Sequence, residues 1–160
     1  MIEDLQPGMA LDLACGTGRD AVFLASLGWE VTAIDHLPDA LQRGQDLARR
    51  YLRSDLAERI RWVCQDLEKV AVGGAFDLVS IFWFLDRGVL RSVPGLLHSG
   101  GSLVLETFSA IHRERYGKPR TESFVLRTGE PASLLPQLTT RLEEAGWHGD
   151  RHSVRFWATK

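Results

Sequence analysis

The chain has 160 residues, of which 44% are hydrophobic and 25% are charged, and its formal net charge is −2. This length is enough to bury a core, so we expect one domain spanning residues 1–160. The near-neutral charge argues against nucleic acid as a partner, and no segment approaches the roughly 18 apolar residues that span a membrane.

The cysteines and the first residues indicate a cellular compartment. Cys15 and Cys64 provide no disulfide framework and are typical of a reducing environment. The opening residues, MIEDLQPGM, are acidic and lack the apolar run of a signal peptide. We therefore expect a cytoplasmic protein that has no membrane partner, and the sequence leaves a monomer and a homodimer equally open. No Cys/His spacing predicts a metal site.

Alternating and helical periodicities follow one another in the first half of the chain. Residues 9–15, 29–35 and 60–66 are typical of strands. Residues 19–28 place apolar side chains on one helical stripe, and residues 38–59 begin with proline and aspartate, as helices commonly do. The sequence therefore predicts strands that alternate with helices.

The second half begins with a nearly continuous apolar run, residues 76–85, which indicates a strand buried on both faces of a parallel sheet. The remaining expected elements are a helix at 87–100, a strand at 101–108, a helix at 129–138, and two strands at 139–148 and 151–160. The short turn between the last two strands predicts that they pair antiparallel. Together these elements predict an α/β fold with a doubly wound, mostly parallel sheet.

The strongest functional signal is LDLACGTGRDA, residues 11–21. Gly16 and Gly18 let the backbone pass close to a ligand, and the following helix directs free N–H groups at the same place. Asp35 ends the next predicted strand, where an acid that binds ribose hydroxyls is expected. The turn also matches the dinucleotide pattern, so NAD and a turn without a ligand remain alternatives.

Two further acids favour a methyl donor over a dinucleotide. Asp12 lies inside the first strand, where a charge is costly unless it meets a ligand cation or amine. Asp66 follows the third strand, where it could accept a hydrogen bond from an adenine amino group. A short-chain hydride-transferring enzyme would need a Tyr-x-x-x-Lys pair, which neither Tyr51 nor Tyr116 provides.

Four stretches resemble, in order, the successive motifs of the class I S-adenosylmethionine-dependent methyltransferases: LDLACGTGRDAVFLASLGWEVTAID, QDLE, FDLVSIFWFLDR and HSGGSLVLETF. Within that superfamily, GRDA, LETF and RYGKPRTESFVLRTGE are similar to the tellurite-resistance and thiopurine methyltransferase-like branch. The resemblance implies a Rossmann-like sheet of order 3-2-1-4-5-7-6, with the last strand antiparallel and helices on both faces. The sequence departs from the family in having SGG instead of PGG before strand five.

The resemblance also implies a cofactor, S-adenosyl-L-methionine, and the residues around it. Asp35 would hold the ribose hydroxyls, and Asp66 with Leu67 would frame the adenine. The expected cofactor-binding residues are Asp12, Ala14, Gly16, Gly18, Arg19, Asp35, His36, Asp66, Leu67 and Phe82.

Candidate bases follow the fifth strand. Methyl transfer is an in-line displacement, and much of its catalysis comes from holding the acceptor close to the methyl group in a dry pocket. A soft nucleophile such as a thiol or a chalcogen oxyanion needs no base, whereas an amine or hydroxyl profits from one. Glu106 and His112 are the candidate catalytic residues. The alternatives are that Glu106 bonds to loop backbone and that His112 is solvated.

Trp83, Arg113, Arg115 and Tyr116 are the residues expected to contact the acceptor. Trp83 could form an apolar wall or belong to the core. The basic segment 112–120 is either a solvated loop or a lid that attracts an anionic substrate.

We therefore expect an enzyme that methylates a small-molecule acceptor. The alternatives are an RNA or protein methyltransferase, a non-catalytic S-adenosylmethionine-binding partner subunit, and an NAD-dependent reductase. The acceptor is not identified by the sequence, because fold and cofactor do not determine substrate.

Overall fold

The computed structural model describes residues 2–160, which form seven strands and six α-helices. The strands are β1 (Met9–Leu13), β2 (Glu30–Asp35), β3 (Ile60–Cys64), β4 (Phe76–Phe82), β5 (Leu97–Phe108), β6 (Thr139–His148) and β7 (Arg151–Thr159). The helices are α1 (Arg19–Ser26), α2 (Pro38–Tyr51), α3 (Ser54–Ala57), α4 (Arg87–Leu96), α5 (Ala110–Tyr116) and α6 (Glu130–Leu134), and short 3-10 turns lie at Ile2–Asp4 and Glu122–Phe124. No helix among residues 2–160 is long and apolar enough to cross a membrane.

The strands form one sheet in the order β3-β2-β1-β4-β5-β7-β6. The neighbours from β3 to β5 run parallel, whereas β7 is antiparallel to both β5 and β6. The predicted doubly wound topology and the antiparallel last strand are therefore confirmed. The chain winds outward in opposite directions from β1 and β4, so the crevice at their carboxyl ends is where such sheets bind ligands.

Apolar side chains of the central strands alternate between two buried layers. Leu11 and Leu13 of β1 belong to the layer that contains Leu90 of α4. Ala10 belongs to the layer on the opposite face, which contains the apolar side of α1. Burial on both faces explains why β4 is almost continuously apolar, as the sequence predicts.

Several element boundaries differ from the prediction; the helix predicted over 129–138, for example, ends at Leu134. Two of the differences have a clear physical cause. The single helix expected over residues 38–59 is wrong, because α2 ends at Tyr51 and α3 is separate. Leu52 has extended backbone, with φ −108° and ψ 152°, and its side chain packs against the apolar layer that contains α1. β5 begins earlier than predicted, at Leu97, because this residue already pairs with Phe76 of β4.

The basic segment 112–120 is only partly a loop. Its first half belongs to α5, which begins after Ser109, whose hydroxyl oxygen accepts a hydrogen bond from the His112 N–H at 3.2 Å. This is an N-cap interaction that stabilises the first turn of a helix. The expectation of an irregular segment is therefore wrong for residues 112–116.

Candidate functional site

The turns after β1, β2, β3 and β4 enclose a groove of about 380 Å³ at the carboxyl end of the sheet, which we call the strand-end groove. Its lining residues are Ala14, Asp35, His36, Leu37, Gln65, Asp66, Leu67, Glu68, Trp83 and Phe84. The volume lies within the usual range for small-molecule sites. Five of the ten residues expected to bind the cofactor thus border one cavity.

The glycine turn after β1 has an unusual backbone. Ala14, Gly16 and Gly18 have φ values of 56°, 53° and 69°, in the left-handed region that favours glycine. A side chain at Gly18 would meet the Trp62 ring at 2.3 Å, whereas a Cβ at Gly16 would have no atom within 4 Å. The turn is therefore packed tightly against the protein at Gly18 and is open at Gly16. Arg19 follows the turn as the exposed first residue of α1.

Asp35 links the glycine turn to the loop after β2. Its Oδ2 accepts a hydrogen bond from the Gly16 N–H at 2.8 Å, and its Oδ1 accepts one from the Leu37 N–H at 2.9 Å. Each carboxylate oxygen can accept a second hydrogen bond, so Asp35 retains acceptor capacity toward the groove. The side chain of His36 is exposed, and its Nδ1 lies 3.6 Å from Asp35 Oδ1.

Asp12 is buried beside the glycine turn. Its Oδ1 accepts a hydrogen bond from the Ser80 hydroxyl at 3.0 Å, while its Oδ2 makes no hydrogen bond of normal geometry within the described residues. Burial, followed by the negative charge of Asp20, raises the pKa of Asp12 to about 8. The Ser80 hydroxyl and the Ala21 N–H favour the ionised form but do not outweigh these effects.

Asp20, at the start of α1, extends this acidic region. Its pKa is also raised, mainly by burial, and the charge of Glu106 acts in the same direction. Arg19 opposes the shift without reversing it. A buried carboxylate with a free oxygen and a second acid nearby together favour a ligand that brings a positively charged group.

Asp66 is held in place after β3. Its Oδ2 lies 2.8 Å from Lys69 Nζ, and its Oδ1 accepts a hydrogen bond from the Glu68 N–H at 3.1 Å. These two interactions lower the pKa of Asp66, the hydrogen bond from Lys69 contributing most. Asp66 is therefore an ionised acceptor on the side of the groove where Leu67 also lies.

Trp83 follows β4 and forms part of the groove wall. Its φ of 59° is rare for a bulky residue, and its N–H donates to the Glu106 carbonyl oxygen at 2.8 Å. The side chain is 40% exposed, so the wall interpretation agrees with the structure better than the core interpretation. Phe82, which is expected along the cofactor, is half-buried and packs against the core, and Phe84 lines the groove.

The structure gives Glu106 partners other than loop backbone. Glu106 Oε1 accepts a hydrogen bond from the Ser153 hydroxyl at 2.7 Å and lies 3.1 Å from Arg155 Nε. Both partners belong to β7, which pairs with β5. Glu106 is thus an ion-paired carboxylate rather than a free base.

The expectation that His112 is solvated is wrong. The residue is only 8% exposed, and its Nδ1 accepts a hydrogen bond from the His152 N–H at 3.3 Å. Its ring stacks on Phe108 with 4.5 Å between ring centroids. Burial is the largest cause that lowers the pKa of His112, so the neutral form is favoured. Helix α5 packs this face against β7, which the periodicity of the sequence did not indicate.

The other three residues expected to contact the acceptor lie along α5. Arg113 donates from Nε and Nη2 to the Arg120 carbonyl oxygen, so it ties the end of the segment to the helix. The Arg115 guanidinium lies over the rings of Tyr116 and Trp147, at 5.5 and 4.8 Å from the centroids. Tyr116 is exposed.

Sequence reasoning missed several residues near the site. Leu37, Gln65 and Glu68 line the groove because they adjoin the expected acids, and their positions after strands could have identified them. Trp147 and Arg151, from the hairpin of β6 and β7, had no such signal.

A second, larger cavity of about 720 Å³ adjoins α4 and α6. Its Arg87 donates to Glu130 at 2.6 Å and to the carbonyl oxygens of Ser123 and Val125 at 2.7 and 3.1 Å. These polar groups satisfy one another, so this cavity has no acid comparable to Asp12, whose Oδ2 makes no hydrogen bond of normal geometry within residues 2–160. Across residues 2–160, no group of three or more His, Cys, Asp or Glu side chains is arranged to hold a metal ion.

Comparison with known proteins places these features in a family. Ubiquinone biosynthesis O-methyltransferase from Xanthomonas oryzae pv. oryzae (strain PXO99A) is 32% identical over 114 residues, which cover 66% of this chain and 45% of that protein. Hemagglutinin 1 from Eikenella corrodens is 32% identical over 93 residues, which cover 54% of this chain and 28% of that protein. The chain spans between 28% and 55% of the length of the first three curated relatives that it matches.

The fold has solved counterparts. The crystal structure of TehB from Haemophilus influenzae matches with a TM-score of 0.78 and 19% identity, covering 98% of this chain and 58% of that one. A family model described as a methyltransferase domain matches residues 10–101, which is more than half of the chain. The chain therefore belongs to the methyltransferase domain family.

Proposed function

We propose that this chain binds S-adenosyl-L-methionine in the strand-end groove and transfers its methyl group to a small-molecule acceptor. The observation that carries the proposal is Asp12, a buried acid just before the glycine turn whose Oδ2 makes no hydrogen bond of normal geometry within the described residues. The phosphates of a dinucleotide would raise the pKa of Asp12 further and would gain no attraction from this carboxyl. S-adenosylmethionine instead brings an ammonium and a sulfonium, which the acids favour.

The residues present fit each part of this cofactor. Asp12 and Asp20 would favour the cationic part, Asp35 would accept from the ribose hydroxyls, and Asp66 would accept from the adenine amino group. When bound, S-adenosylmethionine supplies a methyl group whose bond to sulfur breaks as the acceptor lone pair forms the new bond, leaving S-adenosylhomocysteine. Trp83 and Phe84 line the groove, and with the cofactor bound they would exclude water, which strengthens electrostatic interactions inside it.

The partners of the two candidate bases limit which chemical classes of methyl acceptor fit the site. Glu106 is held by Ser153 and Arg155, and His112 uses its Nδ1 to accept from the backbone. Because Glu106 Oε1 and His112 Nδ1 already have partners, we favour an acceptor that needs no base, such as a thiolate or a chalcogen oxyanion.

Calorimetric titration with S-adenosylhomocysteine and NAD in parallel tests the proposal. We expect S-adenosylhomocysteine to bind at micromolar concentration and NAD not to bind. Asp35→Asn should weaken binding at least tenfold, because it replaces an acceptor oxygen with a donor. Asp39→Asn is the matched control, since Asp39 is an exposed acid in the first turn of α2. Binding of NAD alone, or equal affinity in the two variants, would overturn the proposal.

A further inference from the structure

Five rings form a continuous row beside the strand-end groove, which we call the aromatic row: Trp83, Phe108, His112, Tyr116 and Trp147. The centroids of successive rings are 4.8, 4.5, 4.9 and 6.1 Å apart. The row begins at Trp83, which also lines the groove, and it ends on the hairpin of β6 and β7. A molecule lying on the exposed Trp83 ring could therefore reach into the groove.

The rings at the two ends of the row are open to solvent, whereas His112 in its middle is buried and Phe108 is half-buried. Trp83, Tyr116 and Trp147 are 40%, 46% and 41% exposed. Trp83 also keeps a left-handed backbone conformation, which bulky residues retain mostly at ligand-binding and active sites. Exposed tryptophan and tyrosine rings are enriched at binding surfaces, because they combine a large apolar face with a polar group.

Two arginines lie over the two ends of the row. The Arg151 guanidinium carbon is 5.1 Å from the centroid of Trp83, and that of Arg115 is 4.8 Å from the centroid of Trp147. Among residues 2–160, neither guanidinium has an acidic side chain within ion-pair distance. Both arginines thus retain donors for an anion, which guanidinium groups bind in a bidentate manner.

We propose that the methyl acceptor is a planar aromatic molecule that carries an anionic group such as a carboxylate. Its ring would stack on the exposed Trp83 end of the row, and its anion would bind Arg151. This inference rests on the proposed function and deepens it by naming the acceptor class. A small molecule fits better than a protein surface, because Trp83 belongs to both the row and the groove.

The inference can be tested with 2-naphthoate as a probe on protein saturated with S-adenosylhomocysteine. Uncharged 2-naphthol keeps the rings and lacks the anion, whereas cyclohexanecarboxylate keeps the anion and lacks the planar rings. Calorimetry should show 2-naphthoate binding at least about tenfold more tightly than either control, because only it uses both contacts.

Arg151→Gln should weaken 2-naphthoate about tenfold, to the level of 2-naphthol, and leave S-adenosylhomocysteine affinity unchanged. Arg141→Gln is the matched control, since Arg141 is exposed at the opposite end of the same hairpin.

Equal binding of the three probes, or equal effects of the two variants, would overturn the inference and leave the proposed binding of S-adenosylhomocysteine unaffected. Dissociation of a dimer by Arg151→Gln without an effect on 2-naphthoate would also overturn it and would identify a protein interface. Failure to bind S-adenosylhomocysteine would overturn the proposed function itself and this inference with it.

Discussion

Asp12→Asn should change the pH dependence of stability in the cofactor-free protein. Burial keeps a proton on Asp12 up to a pKa of about 8, whereas the unfolded chain loses that proton near its ordinary value of 3.8. The native state therefore binds more protons than the unfolded state between these values, and stability must fall as the pH rises through this range. Asparagine does not titrate, so the variant lacks this loss.

The size of this loss of stability follows from the shift in the pKa of Asp12. One pKa unit corresponds to about 1.4 kcal/mol, so wild type should lose about 4 kcal/mol relative to Asp12→Asn between pH 4 and pH 7. A hydrogen bond between the amide introduced by Asp12→Asn and Ser80 changes the stability of the variant by the same amount at every pH. It therefore does not affect the predicted difference between pH 4 and pH 7. Urea unfolding of both proteins at several pH values measures the difference directly.

The same substitution should weaken S-adenosylhomocysteine binding at least tenfold, because an amide cannot balance a cationic ligand group. Wild type should also release protons when it binds at pH 7, since a cation beside Asp12 lowers the pKa of this carboxyl. A stability difference that stays constant from pH 4 to pH 8, together with unchanged ligand affinity, would refute the reasoning about Asp12.

Three further predictions concern packing, titration and capping. Gly44→Ala should destabilise the protein by about 1–3 kcal/mol in urea unfolding, since a Cβ there would lie 2.5 Å from the Trp62 ring. Gly95→Ala, an exposed helical position with nothing within 4 Å, should instead stabilise it by about 0.5–1 kcal/mol. Burial lowers the pKa of His112 in the folded protein, so the unfolded chain binds more protons at this residue below about pH 6.5. The protein should therefore lose stability as the pH falls below about 6.5, and His112→Gln should flatten this part of the stability profile. Asp86→Ala should lower the thermal midpoint through the loss of about 1 kcal/mol, since Asp86 caps α4.

The topology could be predicted because it depends on patterns that repeat along the chain. Alternation of strands with helices, and the near-continuous apolar run of β4, fix which strands are central and parallel. Boundaries were less predictable. Leucine is compatible with a helix, but Leu52 has extended backbone, and its side chain packs against the core. The end of α2 is therefore set by tertiary packing rather than by local sequence.

The cofactor side of the site was more predictable than the acceptor side. Asp35 and Asp66 follow strands directly, so their positions in sequence indicate their positions in space. Arg151 lies over Trp83, and Trp147 lies beside His112, only because the β6–β7 hairpin folds back beside β5. No local pattern encodes these contacts, whereas Phe108, His112 and Tyr116 are spaced four residues apart and stack within one local segment.

The most direct test of the central claim is a crystal structure of the chain with S-adenosylhomocysteine. The account predicts the ribose hydroxyls at Asp35, the adenine beside Asp66 and Leu67, and the amino-acid part above the turn at Gly16. Density for the ligand in another cavity, such as the one around Arg87, would contradict the assignment of the strand-end groove as the cofactor site.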